Sequence, residues 1–297
     1  MINEKLKTLV VLDAEKNYTK TAKICSITQP AVTQHIQALE RHYNITIFNR
    51  VGKDLITTGE GKILVKYAKR LLAINKNIKK ELVASLSSHR TLDIGITLTA
   101  SDYFIPEILT AFKQRFPDIR FNFQTDIVEN IFTRLKYLEL DFAIIEGSPN
   151  YQNLESHLLA MDELILIVSP DHPFTNMKEI TLEMLKREKL ILRNRKANTR
   201  ILFENYLTNN LESIDNFEIV LEVENTSLIR HLVRDGHGVS IISKSICKKY
   251  LEANVLKEVK IKNFHLERGI YLIHHKRSDN DQLIKDILNV KLFSIYT

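Results

Sequence analysis

Gln29, Thr33, Gln34 and Gln37 fall within ten residues, at spacings that put them on one face of a helix. Amides and hydroxyls so arranged exchange hydrogen bonds with the edges of base pairs, and the major groove is wide enough to admit the helix that carries them. Arg50 and Lys53 follow, either side of Val51-Gly52, where cations can sit beside phosphates or in a minor groove. Other reactive types are scattered. The ten histidines contain no H-E-x-x-H or H-x-x-x-H spacing, and His274-His275, in a strand, point to opposite faces. Cys25 and Cys247 form no metal-ligand spacing and read as packing thiols, Cys25 within a small helical core. Gly236-His237-Gly238 lacks the third glycine of a nucleotide fingerprint, and 8 glycines in 297 residues is well below the usual share of about 7%. Neither a catalytic residue, a metal set nor a cofactor is expected.

Several elements must hold the amide face in place. Leu6, Leu9 and Val10 share one side of a first helix. Asn17 stands at the N-cap position of a short second helix that carries Ala22 and Cys25 on one side. After a turn at Ser26-Ile27, Thr28 caps a third helix with Pro30 in its first turn, and Val32, Ile36 and Leu39 turn inward so that the amides face out. An ordinary three-helix bundle with a Gln-rich solvent face fits this spacing equally well. Ile45, Ile47 and Phe48, then Arg50 to Ile56, read as two short strands about a Gly-containing turn, the wing of a winged helix-turn-helix. Thr58 caps a long helix to about Leu86, on which Leu64, Leu71 and Ile78 recur every seven residues with Tyr67 and Ile74 interleaved. Rimmed by Lys66, Lys69, Arg70, Lys76, Lys79 and Lys80, that stripe reads as a seam between two chains. Packing of the helix on its own domain accounts for it equally well, and pairing is favoured because nothing nearby supplies a partner surface.

Charge divides at the same place. The chain has 42 Lys+Arg against 36 Asp+Glu, net +6; residues 1–90 hold 16 and 7, net +9, leaving 26 and 29, net −3, for the rest. A basic first third beside a slightly acidic remainder points to two tasks, the first involving an anionic polymer or surface. With 44% hydrophobic and 26% charged residues, composition excludes a disordered or membrane protein. No run approaches 18 apolar residues and the N-terminus is no signal peptide, so a cytoplasmic protein with reduced thiols is expected.

The runs Asn17-Tyr18-Thr19-Lys20-Thr21-Ala22, Ile27-Thr28-Gln29-Pro30-Ala31-Val32-Thr33-Gln34-His35-Ile36-Gln37-Ala38-Leu39-Glu40, Ile47-Phe48-Asn49-Arg50 and Thr57-Thr58-Gly59-Glu60-Gly61 resemble the LysR-type transcriptional regulators. The resemblance is gap-free over about the first sixty residues. It implies double-stranded operator DNA as partner, with contacts from Asn17, Thr19, Lys20, Thr28, Gln29, Pro30, Thr33, Gln34, Arg50 and Lys53. Asn17 replaces a usual serine, Thr21 an alanine, Cys25 a leucine and Gln34 a frequent arginine.

From residue 91 short apolar strands alternate with amphipathic helices, beginning with a strand at Leu92 to Thr97, a helix at Ile105 to Arg115 and a strand at Arg120 to Thr125. Such alternation marks a parallel sheet covered by helices. Leu92-Asp93-Ile94-Gly95, Leu140-Asp141-Phe142-Ala143-Ile144 and Ser169-Pro170-Asp171-His172-Pro173 carry the same resemblance more loosely. It implies an α/β, two-lobed, periplasmic-binding-protein-like effector domain with a cleft between lobes. The division expected is a winged helix-turn-helix domain at 1–58, a linker (dimerisation) helix at 59–90 and an effector domain at 91–297, with lobe I at 91–162 and 267–297 and lobe II at 163–266.

Ligands in open α/β sheets sit at the carboxyl ends of strands near helix N-termini, which favour anions. Thr97, Thr99, Ala100 and Ser101, read as a turn between the first strand and a helix, suit a carboxylate or oxyanion, although a turn that merely caps its helix fits nearly as well. In the second lobe Thr199 matches the family's pattern and ranks above the surrounding cations Arg193, Arg195, Lys196 and Arg200. The expected molecule is a non-enzymatic, ligand-responsive regulator, dimeric through its linker and tetrameric as a pair of dimers. A constitutive architectural DNA-binding protein whose effector-like domain serves only assembly is the alternative.

Overall fold

The structure is a computed structural model that describes residues 2–86, 90–147, 153–276 and 281–288. The chain divides into two compact units, one comprising Met1–Leu92, Asp118–Phe121 and Thr133–Leu140 and the other the remainder.

The first unit begins with α1 (Ile2–Glu15), α2 (Tyr18–Cys25), α3 (Gln29–Tyr43), β1 (Phe48–Val51), β2 (Asp54–Thr57) and α4 (Gly59–Leu86). The starts of α2, α3 and α4 have a chemical cause. Asn17 Oδ1 accepts the Lys20 N–H at 2.9 Å, Thr28 Oγ1 the Ala31 N–H at 3.3 Å and Thr58 Oγ1 the Gly61 N–H at 2.9 Å. α2 stops where Ser26 turns left-handed (φ 56) and its N–H closes on the Ala22 and Lys23 carbonyls; α3 stops likewise at Asn44 (φ 51). Leu6, Leu9 and Leu12 of α1 meet Val32, Ile36 and Leu39 of α3, Ile47, and Leu64, Val65 and Ala68 of α4 in one core. Gly61 lets α4 approach the wing, because a Cβ there would lie 2.4 Å from the Ile47 carbonyl oxygen. β1 and β2 pair antiparallel from Phe48↔Thr57 to Val51↔Asp54, and Gly52 (φ 63) takes the left-handed position of their two-residue turn. Thr57 at the end of β2 donates to Asp13 Oδ1 at 2.6 Å, and Lys16 Nζ lies 2.5 Å from the same oxygen, tying the wing to α1.

Three expectations change here. Leu64 belongs to the core, because the first turns of α4 pack that side on α1; the stripe α4 exposes runs Ile63, Tyr67, Leu71, Ile74, Ile78 and Leu82. The chain does supply a packing surface for one flank of α4: Arg70 Nε donates to the Lys136 carbonyl and Asn77 Nδ2 to the Leu138 carbonyl, each at 3.2 Å, and Lys69 lies over the Tyr137 ring. Cys25, the last residue of α2, is half-buried rather than in the core.

From residue 90 the elements are β3 (Arg90–Ile96), α5 (Leu98–Arg115), β4 (Ile119–Thr125), α6 (Val128–Lys136), β5 (Phe142–Glu146), β6 (Leu154–Val168), α7 (Leu182–Leu185), β7 (Lys189–Arg193), α8 (Asn198–Asn209), β8 (Glu218–Val223), α9 (Thr226–Arg234), β9 (Ser240–Ser243), α10 (Lys244–Glu252), β10 (Lys257–Val259), β11 (Leu266–His275) and α11 (Asp281–Leu288). One sheet has the order β10-β6-β11-β5-β3-β4, with β9 also paired to β6, and β7 and β8 form a separate parallel pair. The sheet is mixed, not parallel. β3 and β5 are parallel, but β11 lies antiparallel to both β5 and β6. Alternation signals a parallel sheet only where a crossover helix returns each strand, and β11 follows β10 through a short connection without one.

α5 starts at Leu98, seven residues before the expected Ile105. The helix passes through Pro106 and forgoes the hydrogen bond its missing N–H would make. Thr99, Ala100 and Ser101 are therefore the first turn of α5, not a connection ahead of it. The second unit's largest described core gathers Leu164, Leu166, Leu190, Leu192, Phe203 and Val239. Among the described residues no helix is long and apolar enough to cross a membrane.

Candidate nucleic-acid interface and ligand cavity

On the first unit, packing of Val32, Ile36 and Leu39 inward turns the other side of α3 to solvent. Gln29, Pro30, Gln34 and Gln37 are exposed, and half-buried Thr33 donates its hydroxyl to the Gln29 carbonyl at 3.3 Å. That bond settles the hydroxyl proton and leaves oxygen lone pairs to accept from an adenine or cytosine amino group. Asn17 and Thr28 are occupied as caps, whereas Thr19 and Lys20 stand exposed in the first turn of α2. Arg50 on β1 and Lys53 in the wing turn are exposed too. Among the described residues none of Lys20, Arg50 and Lys53 is in an ion pair, so their charge is available to phosphates.

The second unit holds a cavity of about 260 Å³, lined among others by Thr97, Thr99, Glu146, Arg193, Lys196 and Asn198. Thr97 follows β3 in extended backbone at the N-cap position of α5, and its hydroxyl donates to the Glu146 carboxylate instead of capping the helix. Thr99 Oγ1 accepts from Arg193 Nη1 at 3.2 Å. Ala100 is buried, and Ser101 spends its hydroxyl on the Leu98 carbonyl at 2.7 Å. Thr199 is buried behind the wall formed by Ala197 and Asn198, where it accepts from Arg268 Nη1 at 3.2 Å. Thus Thr97 and Thr99 line the cavity, and Ser101 and Thr199 are not among its lining residues. Asp126 and Ile127 do line it.

Behind the wall lies a charge network the sequence reading did not single out. Arg268 gives Asp162 Oδ2 two hydrogen bonds, from Nε at 3.1 Å and Nη2 at 3.0 Å, and its Nη1 stands 3.7 Å from Glu146 Oε1. Ser243 donates to the other Asp162 oxygen at 2.9 Å. Glu146 is thereby committed to Thr97 and Arg268.

Arg193 differs. It is 6% exposed, its Nε has no partner, and among the described residues no carboxylate pairs with it. Burial pulls its guanidinium below the usual arginine value, opposed by the negative charge of Glu146. An incompletely satisfied buried cation on a cavity wall is a receptor for an anionic group. A charged residue closing an apolar strand is the signal that marks both positions, Arg193 after Leu190-Ile191-Leu192 and Glu146 after Phe142-Ala143-Ile144-Ile145. Arg268 and Asp162 carry no such local signal.

Comparison with known proteins agrees with this architecture. The family described as bacterial regulatory helix-turn-helix protein, lysR family, matches residues 3–62, and the LysR substrate binding domain matches residues 86–290. The chain is 29% identical over 298 residues to the HTH-type transcriptional regulator CysL of Bacillus subtilis (strain 168), covering 100% of this chain and 98% of that protein. In fold it is similar to full-length CbnR complexed with its target DNA (TM-score 0.68, 18% identity, 99% of this chain and 100% of that one). It is similar as well to the effector binding domain of QuiR in complex with shikimate (TM-score 0.59, 23% identity, 70% and 100%). With a helix-turn-helix that exposes an amide face, followed in sequence by a cavity-bearing α/β domain, the chain belongs to the LysR family of transcriptional regulators.

Proposed function

We propose that this regulator reads a double-stranded operator through α3 and answers to a small anionic effector. Gln29, Pro30, Thr33 and Gln34 face base edges, while Asn17, Thr19, Lys20, Thr28, Arg50 and Lys53 hold phosphates through side chains, helix N-termini and the wing. The exposed, ion-pair-free state of Lys20, Arg50 and Lys53 beside a Gln-rich helix supports this reading. We also propose residues 1–58 as the DNA-binding domain, 59–90 as the linker and 91–297 as the effector domain, with lobe I at 91–162 and 267–297 and lobe II at 163–266. Dimerisation through α4 is supported by its exposed Tyr67, Leu71, Ile74 and Ile78, and two dimers make a tetramer. The protein works in the cytoplasm, without catalytic residues, metal or cofactor in its DNA- and effector-binding tasks.

The observation that carries the effector's charge is Arg193, buried on the cavity wall with an unpartnered Nε. Thr97 and Thr99 add hydroxyls, Ala100 and Ser101 the N-terminal turn of α5, and Thr199 orders the wall from behind. Effector binding favours one arrangement of the paired DNA-binding domains over another and so alters operator affinity. Footprinting on DNA flanking the protein's own gene, with and without small carboxylates and oxyanions, tests both halves. A matching thermal-shift screen should reveal a ligand that stabilises by about 2.7 kcal/mol at 100 times its Kd. Protection of DNA with no stabilisation by any anion leaves the constitutive architectural reading.

A further inference from the structure

Glu155, His157 and His274 form a cluster that takes no part in either proposed task; none of the three lines the cavity around Arg193. It is built by strand register. β6 and β11 run antiparallel with Glu155 opposite His274 and His157 opposite Leu272, so Glu155 and His157, two residues apart, share the face that His274 presents. The two imidazoles come edge to edge, with Nε2 atoms 3.1 Å apart and ring planes 1° from parallel. Glu155 Oε2 stands 3.9 Å from His274 Nε2, and one ligand atom from each of the three residues lies within 4.8 Å of the others.

The protons of His274 can be assigned. Its Nδ1 is 3.1 Å from the His275 carbonyl oxygen, which only accepts, so Nδ1 carries the hydrogen. In the neutral ring Nε2 is then a bare lone pair, held in a ring only 3% exposed. A lone pair aimed at a second imidazole nitrogen needs something positive between them. A proton on His157 Nε2 serves the two rings and leaves Glu155 unused. A divalent cation seated to the side of the line joining the two nitrogens serves all three, and a carbonyl-oriented histidine beside a carboxylate is the outer support that ligating imidazoles ordinarily have.

We propose that Glu155, His157 and His274 bind one divalent transition-metal cation of the zinc class, with the remaining coordination position open to water. Two nitrogens on a tetrahedral zinc, each about 2.0–2.1 Å from the metal, lie roughly 3.3 Å apart, close to the spacing already present. Glu155, whose side chain is 53% exposed, has freedom to swing in and complete the set. Two nitrogens and one carboxylate oxygen suit zinc over magnesium or calcium, which prefer all-oxygen sets. The cation clamps the start of β6 to the end of β11. Spacing along the chain could not disclose it, since His157 and His274 are 117 residues apart.

The test uses the full-length protein after chelator treatment and desalting, titrated with zinc against a chromophoric competitor. One zinc per chain at micromolar or tighter affinity is expected, with a rise in Tm. Glu155→Gln should weaken binding at least tenfold and His157→Ala more. Glu155 is exposed and His157 only partly buried, and circular dichroism checks that each variant folds; if His157→Ala does not fold, Glu155→Gln alone decides. Cobalt should give weak visible bands without thiolate charge transfer, which separates this site from Cys25. Absence of binding at micromolar zinc, thiolate charge transfer, or an affinity unchanged in Glu155→Gln overturns the proposal.

Discussion

The helix-turn-helix and the cavity solve the same problem, presenting polar groups to a partner, in opposite ways. On α3 the polar groups are near neighbours in sequence, stay exposed, and are aimed by the three apolar residues behind them. Around the cavity the polar groups are buried, come from the ends of β3, β5 and β7 and from β11, and are held by one another. An exposed reader depends on its scaffold only for aim, whereas a buried receptor is part of its scaffold. Losses on α3 should therefore appear in binding alone, and losses behind the cavity wall in folding.

The sharpest way to break this contrast is Arg268→Ala, which strands Asp162 and Glu146 as buried carboxylates. A loss of about 3–5 kcal/mol is expected, read as an early urea transition of the second unit; a loss under about 1 kcal/mol would show that the network is not structural. Arg193→Gln tests the exception, a buried cation without a carboxylate partner. Here the fold should survive while anion-induced stabilisation, about 2.7 kcal/mol at 100 times Kd in the parent, disappears; a retained response places the ligand elsewhere. Gln29→Ala should cost about 1–3 kcal/mol on the operator and nearly nothing on random DNA, with Tm unchanged. Lys53→Ala should weaken both DNAs alike and lower the slope of log K against log salt by about 0.9. The smallest effect concerns Asp13. Burial disfavours its carboxylate, but hydrogen bonds from Lys16 and Thr57 outweigh that and hold its pKa below 3.8. Its stabilisation is complete above that value and fades as pH falls through the lowered one. Asp13→Asn should remove this acid-limb dependence from the first unit's unfolding, as followed by circular dichroism between pH 5 and pH 2.

The helix-turn-helix was legible because its causes are local. The caps Asn17, Thr28 and Thr58, the inward stripe Val32-Ile36-Leu39 and the wing turn at Gly52 each act over a few residues, and the structure has them where the residues put them. Leu64 was misassigned because heptad spacing names a stripe without saying what covers it. The sheet was read as parallel because strand-helix alternation carries no information about a strand such as β11 that enters from far along the chain. Within the cavity, Thr97 and Thr99 were found from their place after a strand, whereas Arg193 was discounted as one cation in a charged run.

By itself, the sequence determined the family, the amide face that points outward, and the separation of a basic head from an acidic remainder, because caps, periodicity and charge are properties of neighbouring residues. Tertiary structure alone decided which charges are buried together. Arg268 meets Asp162 and Thr199, Arg193 is left partly unpartnered, and His157 meets His274 across 117 residues. Strand register in a mixed sheet sets those encounters, and register depends on how the whole apolar face is buried, which no local stretch of residues encodes.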